Sequence, residues 1–216
     1  MYRYFICFAL LILNSCATAT PEIERKLDSQ SLTAETSPAP QEVLEEIPVD
    51  IWERIRTNLS IKIPEDQIAA TSVYRERLYK NQSAVNRISK SGQRYLYHTL
   101  TRAEELGLPV ELALLPFVES EFDPYAKSVD GATGIWQFMP ATGKEWGLKS
   151  NWWYDGKKDV LASTEAAFQF LTYLNEKFDG DWLLAMAAYN TGPTRVNRAI
   201  RKNKRLEKGI RFWDLN

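Results

Sequence analysis

The stretch "PFVESEFDP", residues 116–124, places Glu119, Glu121 and Asp123 within five positions, overlapping the end of the apolar run "ELALLPFV". A carboxylate that shares a helix face with apolar residues is penalised in its charged form, so its pKa rises. An acid that keeps its proton near neutrality can act as a general acid. Geometry separates the three. At about 100° per helix residue, Leu115, Leu112 and Leu108 all fall within about 40° of Glu119. Glu121 points roughly the opposite way, toward water. Asp123 precedes Pro124 and belongs to a turn, because a residue before proline avoids helical geometry. A structural reading of Glu119 stands beside the chemical one: a helix-end acid that reaches water or pairs with a buried Arg. The helix alone does not decide between them.

Two later segments bear on the choice. "KSVDGATGIWQFMPATG", residues 127–143, carries Gly131 and Gly134, which allow sharp turns and close packing. Gln137 donates and accepts at once, which suits the hydroxyl and acetamido groups of sugars. Trp136, Met139, Trp146, Trp152 and Trp153 offer apolar faces of the kind that sugar rings stack on, although each Trp taken singly is as readily explained by packing. "AAYNTGP", residues 187–193, sets Tyr189 and Asn190 where a buried helix opens into a loop. C-cap chemistry also accounts for Asn and Gly there.

The elements that must hold these residues read as mostly α. Asp50 is an N-cap for "IWERIRTNL". Residues 66–89 form a polar helical stretch anchored by Val73, Leu78, Val85 and Ile88. Ser91 and Gly107 bracket a helix whose Leu96, Leu100 and Ala103 share a face. Pro109 opens a helix running to Ser120. In "DVLASTEAAFQFLTYLNEKF", Ala167, Leu171, Leu174 and Phe178 recur at helical spacing. Asp181 caps the next short helix and Pro193 opens the last. No stretch alternates as a strand.

The chain has 216 residues, 44% hydrophobic and 12% aromatic, enough for one sizeable core. A net charge of −1 gives no basic field for nucleic acid. The single histidine, His98, argues against a His-based metal site or a Ser-His triad. The first residues, "MYRYFICFALLILNSC", join a weakly positive start to an apolar run too short to span a bilayer. "LNSC" resembles a bacterial lipoprotein cleavage box, with Asn14 as its departure. Residues 1–15 would then be a signal peptide and Cys16 the acylated first residue of the mature chain. An ordinary secretory signal with an incidental cysteine is the alternative. Residues 16–50, rich in Ala, Thr, Ser, Pro and Glu, read as a flexible tether.

Taken together, "ES", "GIWQFMP" and "AYN-x-G", in this order, resemble the catalytic domain of the lysozyme-like lytic transglycosylases (the SLT type). "ELALLPFVESEFDPYA", "GIWQFMPATG", "YDGKKDVLAST", "FDGDWLLAMAAYNTG" and "FWDL" carry the likeness, which runs from about residue 50 to the end. It implies a helical lead-in over 51–100 and a catalytic domain over 101–216 with a deep saccharide groove. By the same likeness Glu119 is the family's sole acid/base, and Ser120 completes its motif. Ser128 matches a serine that hydrogen-bonds the acid or the substrate. Gln137 and Met139 line the groove, and Tyr189 and Asn190 close the site. The family continues into a tyrosine-bearing helix of the pattern "ET-x-x-YV", which does not appear before Asn216, so the expectation is either a truncated form or a groove with one wall missing.

The activity so implied is cleavage of the β-1,4 bond between N-acetylmuramic acid and N-acetylglucosamine in peptidoglycan, without water, leaving a 1,6-anhydro end. Most glycosidases use two carboxylates; here one suffices if the sugar supplies its own nucleophile, with no metal and no cofactor. Peptidoglycan strands are the implied partner. Ala17 is not an acidic retention signal, so the implied location is the outer membrane, lipid-anchored and facing the periplasm. A water-using muramidase, with Asp130 placing the water, and a non-catalytic peptidoglycan-binding lipoprotein are the alternatives.

Overall fold

Asp50 accepts a hydrogen bond from Trp52 N–H and opens α1 (Ile51–Thr57), as its residue type predicts. The computed structural model describes residues 50–215. The signal, the tether and Cys16 lie outside the described residues. The polar stretch expected over 66–89 is two helices, α2 (Glu65–Lys80) and α3 (Gln82–Gly92), joined at Asn81. Of its four expected anchors, Val73 is exposed and Val85 half-buried; the side chains of Leu78 and Ile88 lie outside the described set. Ser91 is not the cap of the next helix. It sits inside α3, and α4 (Leu96–Glu105) begins at Tyr95 with no side-chain cap.

The largest departure lies in the segment that carries Glu119. In place of one helix there is a 3₁₀ turn (Val110–Leu114) followed by α5 (Leu115–Ser120). Pro116 explains the break, since it has no N–H to give the carbonyl four residues back and is tolerated only in a first turn. The helical angle count therefore holds from Glu119 to Leu115 but not to Leu112 or Leu108. Burial surrounds the segment instead of following a stripe: Leu112, Ala113, Leu114, Leu115 and Phe117 are all buried.

A looped segment and α6 (Pro140–Glu145) follow, then α7 (Val160–Lys177), α8 (Trp182–Thr191), α9 (Pro193–Arg205) and a 3₁₀ turn (Phe212–Asp214). Among the described residues there is no strand; isolated bridges pair Lys127 with Thr133, Thr133 with Phe138 and Ser150 with Asp155. The mostly α class holds. Asp181 caps α8 through Leu183 and Leu184 N–H, and Pro193 stands in the first turn of α9.

The four predicted positions of α7, Ala167, Leu171, Leu174 and Phe178, are all buried. They join Leu96, Leu100 and Ala103 of α4, Ala185 and Ala188 of α8, and Phe117 in one core. Small residues on α8 let α7 and α9 approach it closely. Phe117 meets Phe122 edge to face at 4.7 Å. A Cβ on Gly92 would lie 2.8 Å from the Phe117 ring, so α3 crosses α5 where only glycine fits. The lead-in helices are also tied by charge: Arg54 of α1 forks onto Glu104 of α4, with Nε to Oε1 at 3.0 Å.

Candidate functional site

Glu119 stands in the last turn of α5. The helix stops because Glu121 and Phe122 both take left-handed backbone angles, with φ of 54° and 60°. Such a φ is uncommon for residues other than glycine and must be held by its surroundings. Phe122 is held by burial against Phe117. Glu121 is held from α3: Arg87 donates to its carboxylate from Nε at 2.8 Å and from Nη2 at 2.9 Å, and Ser91 Oγ donates to its carbonyl. Asp123 is in a turn, as expected, accepting Tyr125 N–H at 2.8 Å.

The acid itself meets a different environment. Burial raises the Glu119 pKa from 4.5 to about 7, against the opposing pull of a hydrogen bond from the Asn190 side chain. Desolvation wins because one neutral donor offsets only part of the lost hydration of a carboxylate. Tyr189 is close enough for the two charges to interact: burial first, and then the Glu119 negative charge, push the phenol well above its ordinary pKa. The neutral phenol donates to Trp136 O at 2.7 Å.

The "GIWQFMP" loop is pinned from both sides. Ser120 Oγ donates to Ile135 O at 2.9 Å, and Tyr189 OH takes the next carbonyl along. Thus the "ES" and "AYN" motifs grip adjacent peptide units of the third motif. Gln137 sits at the corner with φ of 48°, inside a loop closed by reciprocal Thr133 and Phe138 backbone bonds. Its Nε2 donates to Gly134 O at 2.8 Å. Gly134 is obligatory on two counts: its φ is +83°, and a Cβ there would lie 1.7 Å from Lys157 O.

Of the residues singled out from the sequence, the structure brings Glu119, Tyr189 and Asn190 together and ties Ser120 and Gln137 to the adjoining loop. Ser128 is exposed, and its Oγ accepts Ala132 N–H at 3.0 Å within its own turn. Met139 is exposed at the start of α6. Trp136 is a correction. It offers no face to a ligand, being fully buried with its indole N–H on Thr164 Oγ1 at 3.0 Å and its ring edge-on to Phe168. Trp146 is half-buried among Phe170 and Tyr173, whereas Trp152 and Trp153 are exposed.

Sequence reasoning missed the Arg87 and Ser91 grip on Glu121, and it missed Glu111. That second acid opens the same apolar run, is 1% exposed, and accepts Ser60 N–H at 2.8 Å and Ile61 N–H at 2.7 Å. An acid inside an apolar run was the available signal.

The pattern of the transglycosylase SLT domain matches residues 89–212. The chain belongs to that family. The SLT match takes in the acid, the pinned loop and the Tyr-Asn pair. Over 166 residues the chain is 42% identical to membrane-bound lytic murein transglycosylase D of Escherichia coli K12, covering 77% of this chain and 36% of that protein. It is 48% identical over 118 residues to a putative tributyltin chloride resistance protein of an Alteromonas species, covering 54% and 57%. It is 42% identical over 89 residues to the peptidoglycan transglycosylase gp16 of Escherichia phage T7, covering 39% and 6%. The chain thus spans about a third of the length of the E. coli relative.

Proposed function

We propose that this SLT-domain chain is a peptidoglycan lytic transglycosylase with Glu119 as its only acid/base. The observation that carries the reading is a carboxyl whose pKa is raised to about 7 by burial, beside Asn190 and Tyr189. The names of the E. coli and phage relatives support murein as the substrate.

In this reading protonated Glu119 gives its proton to the glycosidic oxygen as the C1–O4 bond breaks. The 2-acetamido group of the same sugar supports the electron-poor C1. Glu119, now a carboxylate, takes the proton from the C6 hydroxyl, whose oxygen closes on C1. One bond breaks and one forms, the proton returns to Glu119, and the product ends in 1,6-anhydro-muramic acid. A pKa near the working pH suits a group that must first give and then take a proton. Asn190 steadies the carboxylate form, so the acid is not locked in its neutral state. Gln137 on the pinned loop, Ser128 in the turn before it and Met139 near its end supply contacts to the strand, and Ser120 fixes that loop against the acid's helix.

Mass spectrometry of muropeptides released from purified sacculi tests the reading. Anhydro ends from the native chain and none from Glu119→Gln are expected. Reducing ends would instead indicate a hydrolytic muramidase, and no cleavage a binding protein.

The proposal extends to the cell envelope. The E. coli relative is named as membrane-bound, which supports a membrane-associated chain. Acylation at Cys16 after removal of residues 1–15 would anchor it in the outer membrane, facing the periplasm. Cys16→Ala should abolish acylation and move the protein out of the membrane fraction; retention there would overturn the anchor.

A further inference from the structure

Trp152 and Trp153 lie ring against ring and are 78% and 77% exposed. Two adjacent indoles left in water give up one of the largest burial gains available to a side chain, and contiguous exposed apolar surface of this kind marks a contact. A loosely held loop would be another explanation, but this tip is built. Asn151 Oδ1 accepts Trp153 N–H at 2.9 Å and Tyr154 N–H at 2.8 Å. Asn151 N–H donates to Tyr154 O at 2.7 Å, and Gly156 N–H to Lys149 O at 2.8 Å. Below the tip, Asp155 takes Ser150 Oγ at 2.9 Å and Lys157 Nζ at 2.6 Å, and Tyr154 OH donates to Asp159 at 2.9 Å. The bonds fix the backbone and leave both indoles facing out.

The tip is also bolted to the candidate site. Its Lys157 carbonyl occupies the space where Gly134 lacks a Cβ, and Gly134 begins the turn that holds Gln137. Lys158 Nζ lies 6.0 Å over the ring of Tyr125, itself 75% exposed and three residues before Ser128. Exposed aromatic faces therefore continue outward from the loop that adjoins the acid.

We infer that Trp152 and Trp153 form a stacking platform for a glycan strand, outside the residues that surround Glu119. Flat apolar ring faces fit the C–H faces of pyranose sugars, and the exposed Lys149 and Lys158 complement the carboxylates that muramic acid and its peptides carry. The choice of glycan rests on the transglycosylase reading.

The test uses the full chain carrying Glu119→Gln, so that the strand is not consumed, and Cys16→Ser, so that no acyl chain contributes. Co-sedimentation with purified sacculi is measured with and without W152A/W153A. Binding should weaken about tenfold, the scale of losing one aromatic anchor, and Phe replacements should recover most of it at an unchanged melting temperature. Unchanged sacculus binding overturns the inference. So does a variant that keeps sacculus binding and loses binding to phosphatidylethanolamine–phosphatidylglycerol vesicles, which would make the platform a lipid contact. The transglycosylase reading fails separately, when the chain with Glu119 intact releases no anhydro ends.

Discussion

Two glutamates eight positions apart share one apolar segment and meet different surroundings. Glu111 is 1% exposed and receives two backbone N–H groups on Oε1, from Ser60 and Ile61. Those bonds fasten the chain that follows α1 to the 3₁₀ turn before α5. Glu119 is less enclosed as a residue, yet its carboxyl is desolvated and meets the single amide of Asn190, so its pKa climbs to about 7. Burial is common to both. What differs is the donor set: two backbone N–H groups on Oε1 of Glu111, one side-chain amide at Glu119.

The contrast predicts its own largest effect. General acid–base groups contribute about 10²–10⁴-fold, and here one group serves both steps, so Glu119→Gln should lose at least about 10⁴-fold in anhydro-muropeptide release. Stability should hold or rise. The sign follows from linkage: the folded pKa, about 7, lies above the unfolded value of 4.5, so the folded state binds the extra proton. The contribution of this group to stability is full below about pH 4.5, falls as pH rises between these values and is lost above about 7. Glu119→Gln should flatten that slope in urea titrations run across this window. The native rate should fall as pH rises through about 7, where the free chain loses its acid. A rate that keeps rising past that point, or near-normal release by the variant, breaks the comparison.

The converse substitution should act on the fold. Glu111→Ala leaves the Ser60 and Ile61 N–H groups without their acceptor, at a cost of about 2 kcal/mol. A chain of this size should then melt roughly 4–8 °C lower. Release per folded molecule should stay within a few-fold of native. An unchanged melting curve with a collapsed rate would exchange the roles of the two acids.

Tyr189→Phe probes how the acid's surroundings are held. It removes the bond to Trp136 O and leaves a buried carbonyl short of its donor, worth about 1 kcal/mol, or about a fivefold to tenfold change in rate if the loop shifts against Glu119. A fall in rate without a fall in melting temperature would point to direct contact with substrate instead.

What the sequence disclosed was local. Asp50 and Asp181 as caps, Pro193 as a helix start, the buried face of α7 and the turn at Asp123 all follow from residue type and spacing, and all are present. The raised pKa expected of Glu119 is present, but the angular count behind it holds only as far as Leu115, because Pro116 ends the 3₁₀ turn there. Non-local partners were not legible. Nothing near Trp136 in sequence reveals Thr164 and Phe168 around its ring. Nothing near Ser91 reveals the carbonyl of Glu121, thirty positions on, that takes its hydroxyl. Glu111 was visible as an acid in an apolar run, but its two donors lie fifty positions earlier and only the fold brings them in.

Glu121 gives the smallest effect and the sharpest control. It sits two residues from Glu119, and it shows what the same side chain becomes when a cation reaches it. Hydrogen bonding to Arg87 holds its carboxyl below the usual range, the opposite direction from Glu119. The pair is open to water, with side chains 60% and 43% exposed, and exposed ion pairs contribute little. Glu121→Gln keeps an acceptor for Arg87 and leaves the Ser91 bond to the main-chain carbonyl untouched. The rate should therefore change by no more than about threefold, and the melting temperature by a degree or two. Arg87→Ala should match it if the side-chain pair alone matters. A much larger loss of rate from Arg87→Ala, at an unchanged melting temperature, would mean that α3 sets the left-handed turn after Glu119 and so positions the acid from outside the matched region, which begins at residue 89.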